Sequence, residues 1–146
     1  MPAHLTRELL ELRNRTYAAF VATGRAPRAD ELGDAQTVTE GWRVLHELHA
    51  LVLNPATDEI RMLNPFSAVP TSYRVHAADR WSYANCAWDA LGVLGALHVD
   101  GRVESSCPDC GEPYAVDVVN GQADAGGLLF HCLVPAAHWW DDIVFT

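Results

Sequence analysis

The side chains in this sequence with the clearest chemistry are Cys86 and Asp89. They lie in the stretch Trp81–His98, whose apolar spacing predicts a helix, and residues i and i+3 share one face of a helix. In the first turns, backbone N–H groups and the helix dipole favour a thiolate. The pair would then combine a soft nucleophile or metal ligand with a proton carrier. The alternative is a small buried thiol beside a solvated first-turn carboxylate, which is common for both residue types.

A second pair of thiols lies in the segment Cys107-Pro-Asp-Cys110-Gly, which predicts a tight turn that directs both sulfurs toward one point. Such turns typically supply half of a tetrahedral zinc or iron site. The other half could come only from His131 and Cys132, which are adjacent and so point to opposite faces of a strand. One of them could join, but hardly both. Cys107 and Cys110 are therefore a candidate site for zinc or another soft metal, or a structural turn with a buried thiol.

Composition restricts the class of protein. The 146 residues suffice for one domain, or for a small N-terminal module on a modest core. Nineteen Asp and Glu face ten Arg, and only Arg80 and Arg102 follow residue 75, so we expect no nucleic acid partner. No apolar run approaches the ~20 residues of a membrane span, and the N-terminus lacks a signal-peptide pattern. We expect a cytoplasmic protein, away from membranes, with reduced cysteines.

Residues 1–63 are predicted to form a winged-helix-like module of three helices followed by a β-hairpin. Thr37 and Glu40 have the spacing of a capping box at the start of the third helix. Because this helix carries Glu40 and Glu47 against one basic residue, Arg43, we expect a structural cap rather than DNA binding. The first two predicted helices span His4–Thr23 and Arg28–Ala35, and the third begins at Thr37 or Thr39. The predicted strands of the hairpin span Ala50–Leu53 and Glu59–Leu63.

The rest of the chain is predicted to form a small antiparallel β core packed on a central helix, which makes the fold class α+β. Residues 64–80 are an irregular linker with the first core strand, and residues 81–146 are the core. Ser82 or Asn85 could cap the central helix. The remaining predicted elements are strands at Ser72–His76, Gly101–Ser106, Tyr114–Val119, Leu128–Val134 and Ile143–Thr146, and a Gly-rich loop at Asn120–Gly127.

Several motifs resemble the organomercurial (alkylmercury) lyase family, and the resemblance covers nearly the whole chain. Its most specific part is the central Cys-x-x-Asp segment. The motifs are Asn64-Pro-Phe-Ser-x-x-Pro-Thr, Tyr83-Ala-x-Cys86-Ala-x-Asp89-Ala-Leu, Val103-x-Ser-Ser-Cys107-Pro-x-Cys-Gly and the tail Val134-Pro-Ala-x-x-Trp-Trp-Asp-Asp-Ile-Val-Phe-Thr.

This resemblance implies protonolysis of an organomercurial, R–Hg⁺, to a hydrocarbon and Hg(II), without an organic cofactor. It makes Cys86 the mercury-binding thiolate and Asp89 the carrier of a proton from a thiol to the leaving carbon, and it makes Cys107 structural. Hg(II) would leave on small thiols or on a mercuric reductase. We expect a monomer or a weak homodimer. Thiolates suit this chemistry because they prefer soft ions such as Hg(II) and Cu(I).

The chain departs from the family at the second catalytic cysteine. Counting back from Pro135, that position falls in residues 123–127, which contain no cysteine. Cys132 is the nearest thiol, and Cys110 or a bound small thiol are the other sources. Two further hypotheses stay open besides a lyase that acts on another substrate. One is a non-catalytic soft-metal-binding protein that uses Cys86, Cys107, Cys110 and Cys132, and the other is a zinc-stabilised winged-helix regulator.

Overall fold

The computed structural model describes residues 4–144 and shows an α+β fold, as the sequence predicts. Within these residues the chain forms three α-helices and one antiparallel sheet of eight strands, whose order is β1-β2-β3-β5-β4-β6-β7-β8. The helices are α1 (Arg7–Thr23), α2 (Ala35–Glu47) and α3 (Ala87–Leu97). The strands are β1 (Val52–Leu53), β2 (Ile60–Leu63), β3 (Phe66–Ser67), β4 (Arg74–Ala77), β5 (Arg80–Ala84), β6 (Gly101–Ser106), β7 (Pro113–Val119) and β8 (Gln122–Asp124).

The N-terminal helices differ from the prediction at the second helix. Only one 3₁₀ turn, Ala29–Glu31, forms there, because Gly33 follows with φ 147° and Asp34 then begins α2. The predicted capping box of Thr37 and Glu40 is wrong. The Asp34 carboxylate caps α2 and accepts hydrogen bonds from the backbone N–H (2.9 Å) and hydroxyl (2.7 Å) of Thr37.

The hairpin β1–β2 belongs to the common sheet, so the winged-helix prediction is not confirmed. Leu63 of β2 pairs with Phe66 of β3, which carries the sheet into the segment predicted to be a linker. The division of the chain at residues 63 and 80 stays a prediction. No helix in the described part of the chain combines the length and apolar character needed to cross a membrane.

The central helix begins later than predicted. Residues 80–84 are strand β5, which forms a hairpin with β4 through Ala78 and Asp79, both in the left-handed region. The helix then begins at Ala87, with Cys86 as its N-cap, so neither Ser82 nor Asn85 is the cap residue. The apolar spacing predicted one helix because it extended the genuine helical pattern of α3 back over a strand with an exposed Trp81.

The C-terminal part holds three more corrections. Asn120 and Gly121, both at positive φ, form a two-residue turn, so the predicted loop contains strand β8. The predicted strand at Leu128–Val134 is irregular and exposed, with Leu129 94% accessible. Of the predicted last strand, Ile143 and Val144 form a turn, and residues 145–146 lie outside the described residues. A 3₁₀ helix spans Ala136–Asp141.

One hydrophobic core joins the helices to the sheet. In α2, the buried Trp42 donates from Nε1 to the hydroxyl of Thr16 (3.0 Å), which in turn donates to the Leu12 carbonyl (2.8 Å). The buried face of α3, which consists of Ala90, Val93 and Leu94, packs toward β4 and β5. This packing fixes α3, and with it Cys86, against the sheet.

Gly101→Ala is expected to lower the free energy of unfolding by about 1–3 kcal/mol. A methyl group at Gly101 would overlap the backbone carbonyl oxygen of His76 and the Cδ2 atom of Leu94, and the carbonyl cannot move without breaking the β4–β6 ladder. Urea unfolding measures the change. The matched control is Gly95→Ala on the exposed face of α3, where a methyl group meets no atom within 4 Å and should stabilise the helix. Equal stability of the two variants would contradict the close packing at Gly101.

Candidate active site

The end of β5 places Cys86 at the start of α3. Both backbone polar groups of Ala84 are hydrogen-bonded. Its N–H donates to the Tyr73 carbonyl (3.0 Å), and its carbonyl accepts from the hydroxyl of Thr71 (2.7 Å). Cys86 is extended, with φ −150° and ψ −179°, and its carbonyl accepts the first helical hydrogen bond from Ala90 (2.9 Å). The half-buried thiol therefore has a fixed backbone on a rigid junction of strand and helix.

The electrostatics at Cys86 differ from the prediction. Burial raises the pKa of the Cys86 thiol, the negative charges of Asp89 and Cys132 add to the rise, and the backbone N–H groups of Asp89 and Trp88 oppose it. The helix N-terminus does act on the sulfur, but burial outweighs it. The direction of this shift is opposite to the predicted stabilisation of a thiolate at Cys86.

Asp89 is also half-buried, and its environment favours a proton. Burial raises the pKa of the Asp89 carboxyl, and the hydrogen bond from the Asn85 side chain partly offsets the rise. Asn85 Nδ2 lies 2.8 Å from Asp89 Oδ2, 3.1 Å from Asn64 Oδ1 and 3.4 Å from the Pro65 carbonyl oxygen. Its Oδ1 is buried and has no hydrogen-bond partner. Asn85 thus fixes the orientation of the carboxylate.

Three polar residues of this site were not predicted from the sequence. Tyr17 donates its hydroxyl to the Asn64 carbonyl (2.8 Å), and the charge of Asp89 contributes to a raised pKa of Tyr17, of which burial is the main cause. Asn64 and Asn85 complete the chain of contacts to Asp89. The spacing i, i+4 of Asn85 and Asp89 was the available signal. Tyr17 gave none, since it continues the apolar side of α1.

Cys132 lies near Cys86 although it is not on a strand. Its exposed thiol donates to the Val134 carbonyl (2.9 Å), and its charge contributes to the raised pKa of Cys86. The segment that carries it lies against the start of α3, because the rings of Phe130 and Trp88 are 6.0 Å apart between centroids. The segment that carries Cys132 therefore lies beside the start of α3, which carries Cys86 and Asp89, although the described residues form no ready group of three metal ligands there.

Cys107 and Cys110 form the predicted tight turn at the tip of the β6–β7 hairpin. The Cys107 N–H donates to the Glu112 carbonyl (2.9 Å), and the Cys107 carbonyl accepts from Gly111 (2.8 Å), whose φ of 74° suits glycine. Backbone N–H groups of Cys110 and Asp109, followed by the Cys110 thiol, lower the pKa of Cys107. Both thiols are free.

The second half of a zinc site is not assembled around this turn. Within residues 4–144, no three His, Cys, Asp or Glu side chains are grouped so that they could hold a metal ion. His131 and Cys132 therefore do not complete a ligand set with Cys107 and Cys110. A structural zinc needs four ligands, and the pair supplies two.

Comparison with known proteins bears directly on this arrangement. The family model of the alkylmercury lyases (MerB) matches residues 66–146, more than half of the chain. The chain belongs to the alkylmercury lyase family. Among solved structures, the mercury-bound form of MerB2 is similar, with a TM-score of 0.66 and 25% identity over 83% of this chain. The chain spans 60% of the length of that protein. No curated protein sequence matches the chain.

The match to the alkylmercury lyase family covers the four cysteines, Asp89 and Asn85, but it does not cover Tyr17 or Asn64. Tyr17 and Asn64 precede the matched residues and reach Asp89 only through the fold. The family membership predicted from the motifs is thus confirmed.

Proposed function

We propose that the chain cleaves the carbon–mercury bond of organomercurials by protonolysis, with Cys86, Cys132 and Asp89 as the reacting groups. The observation that carries the proposal is the position of Cys86 and Asp89 at the start of α3, against which the segment carrying Cys132 packs through the rings of Phe130 and Trp88. Two thiols bind a soft metal strongly, and a carboxyl with a raised pKa moves protons well near neutral pH. Small alkyl and aryl mercury compounds are the proposed substrate class.

The overall reaction balances with the groups present. R–Hg⁺ and two thiols give R–H, a mercury dithiolate and one proton. Cys86 attacks first, and its sulfur forms a bond to mercury as its proton leaves. Cys132 then forms the second Hg–S bond, while the electron pair of the Hg–C bond takes a proton at carbon. Mercury remains Hg(II) throughout, so no reductant is needed.

Asp89 is proposed to carry the proton from a thiol to the carbon. As a carboxylate it accepts the proton that a thiol loses on binding mercury, and as an acid it donates that proton to the departing carbon. Partial burial suits both steps, because it keeps the pKa of Asp89 above the usual value and closer to that of its partners. Release of Hg(II) is proposed to use small thiols or a mercuric reductase.

The zinc-stabilised regulator is not proposed, because the described residues bring no third ligand to Cys107 and Cys110. A non-catalytic soft-metal-binding protein would use the same thiols as the proposed lyase but would cleave no carbon–mercury bond. A lyase with another substrate would use the same groups but would not accept organomercurials. The turnover assay separates both from the proposal.

The test is incubation of the whole protein with a simple arylmercury salt and excess small thiol, with gas-chromatographic detection of the released arene. Catalytic release of arene above the rate with thiol alone is the expected result. Stoichiometric mercury binding without arene would overturn the lyase proposal and favour the soft-metal-binding protein.

Asn85→Ala is expected to move the acid limb of the turnover profile to higher pH. The Asn85 hydrogen bond holds the pKa of Asp89 down, so its loss leaves burial unopposed and the carboxyl ionises only at higher pH. Isotope-edited NMR titration of the Asp89 carboxyl checks the shift without turnover. The matched control is Gln36→Ala, which removes an exposed amide that donates to Glu40 (3.0 Å) in α2 and contacts no described residue of the site. An unshifted Asp89 titration in Asn85→Ala would contradict the assigned role.

A further inference from the structure

The strand register places the turn of Cys107 and Cys110 at the same end of the sheet as Cys86. Tyr83 of β5 pairs with Arg74 of β4, and Arg74 pairs with Glu104 of β6. β5 and β6 are both antiparallel to β4, so they run in the same direction. Three residues beyond these pairs, β5 leads to Cys86 and β6 leads to Cys107.

Two strand spacings, about 10 Å across the sheet, separate the paired residues Tyr83 and Glu104, from which the chain leads to Cys86 and Cys107. Tyr73, whose carbonyl accepts from Ala84, lies on the β4 side between them. The ladder continues past β6, since Cys107 still donates to Glu112 across the hairpin. The backbone positions of Cys86 and Cys107 are therefore held relative to each other by hydrogen-bonded strands, whereas Cys132 lies on an irregular segment.

The turn itself is built as a two-thiol site. Both its thiols are free, the Gly111 N–H closes the turn on the Cys107 carbonyl (2.8 Å), and the Cys110 side chain is exposed to incoming ions. The residues described supply no third ligand. Zinc requires four ligands, whereas Hg(II) and Cu(I) are satisfied by two thiolates.

We propose that Cys107 and Cys110 form a second, two-coordinate thiolate site for Hg(II), which receives the ion from the site of Cys86. The binding part stands on the turn alone, and the transfer part rests on the proposed lyase function. In the transfer, each new Hg–S bond to Cys107 or Cys110 replaces one to Cys86 or its partner thiol. The incoming thiols lose two protons and the released sulfurs take two, so mercury keeps its oxidation state.

Binding is tested with mercuric chloride and a competing small thiol, by measuring mercury retained per chain after gel filtration. In the double variant Cys86→Ser/Cys132→Ser, the turn should retain one Hg(II) with two sulfur neighbours by X-ray absorption. Adding Cys110→Ser should weaken retention about 100-fold, because the second thiolate then no longer binds intramolecularly. Circular dichroism verifies that each variant is folded. No retention by the folded double variant, or four sulfur neighbours, would overturn the proposed site.

Transfer is tested by the arene released per chain when no small thiol is added. The unaltered protein should release about two molecules, since one Hg(II) can move to the turn, and Cys110→Ser should release about one. Equal release by both proteins would overturn the transfer. A protein that releases no arene at all would overturn the lyase function instead, and the mercuric chloride titration would still decide whether the turn binds Hg(II).

Discussion

Cys86→Ser is expected to reduce arene release by about 10³-fold or more, to the rate of the small thiol alone. A hydroxyl is a hard ligand that remains protonated at neutral pH, so it neither binds mercury well nor activates the Hg–C bond. The substitution changes one atom at the N-cap of α3, where serine is itself a favoured residue, so the fold should persist. Gas chromatography of the arene measures the loss, and circular dichroism checks the fold.

The matched control for this variant is Ala96→Ser, which adds the same side chain on the exposed C-terminal part of α3. It should keep the turnover of the unaltered protein. If Cys86→Ser retained turnover, the reaction would have to begin at another thiol, and the assignment of Cys86 would be wrong.

Asp89→Asn is expected to reduce turnover by about 10²–10⁴-fold while mercury binding is retained. The amide keeps the size of the carboxylate but cannot accept a proton from a thiol and pass it to carbon. Mercury is held by sulfur, which the substitution leaves in place. The two measurements are arene release and the mercury retained per chain after gel filtration. This separation of chemistry from binding is the signature of a proton carrier.

Asp124→Asn is the matched control, because Asp124 is an exposed carboxylate on β8 and the same substitution there should leave both measurements unchanged. Parallel loss of mercury binding and turnover in Asp89→Asn would show that Asp89 is needed for the shape of the site. In that case it would not be the proton carrier.

Local sequence patterns predicted the parts of the fold that local contacts decide. The strand at Gly101–Ser106 and the tight turn at Cys107 and Cys110 are found where they were predicted. The helix carrying Asp89 was also predicted, but its start was placed too early. The apolar residues around Trp81 fit the periodicity of a helix as well as that of a strand. The boundary there depends on the turn at Ala78 and Asp79, where aspartate is common at positive φ but alanine is not.

The predictions that failed concern parts of the structure that depend on contacts between residues distant in sequence. The alternating apolar side chains of Leu128–Val134 predict a buried strand, but no neighbouring strand pairs with that segment among the described residues. Likewise, Tyr17 reaches the site only because α1 packs beside residue 64, and neither position predicts the other. The placement of Cys86 and Asp89 together at the start of one helix could be predicted from their spacing. The direction of the pKa of Cys86 could not, because burial decides it.

The pairing of Leu63 with Phe66 has a consequence for how the molecule melts. The sheet passes through this pair without a gap, and the ring of Phe66 also packs against that of Phe20 of α1 in a tilted arrangement, with ring centroids 4.9 Å apart. Separating the first 63 residues from the rest would break strand pairing, expose both aromatic rings and detach Tyr17 from Asn64. Loss of the N-terminal helices and loss of the thiol site should therefore occur in one cooperative transition, so that heat destroys the structure and the activity together.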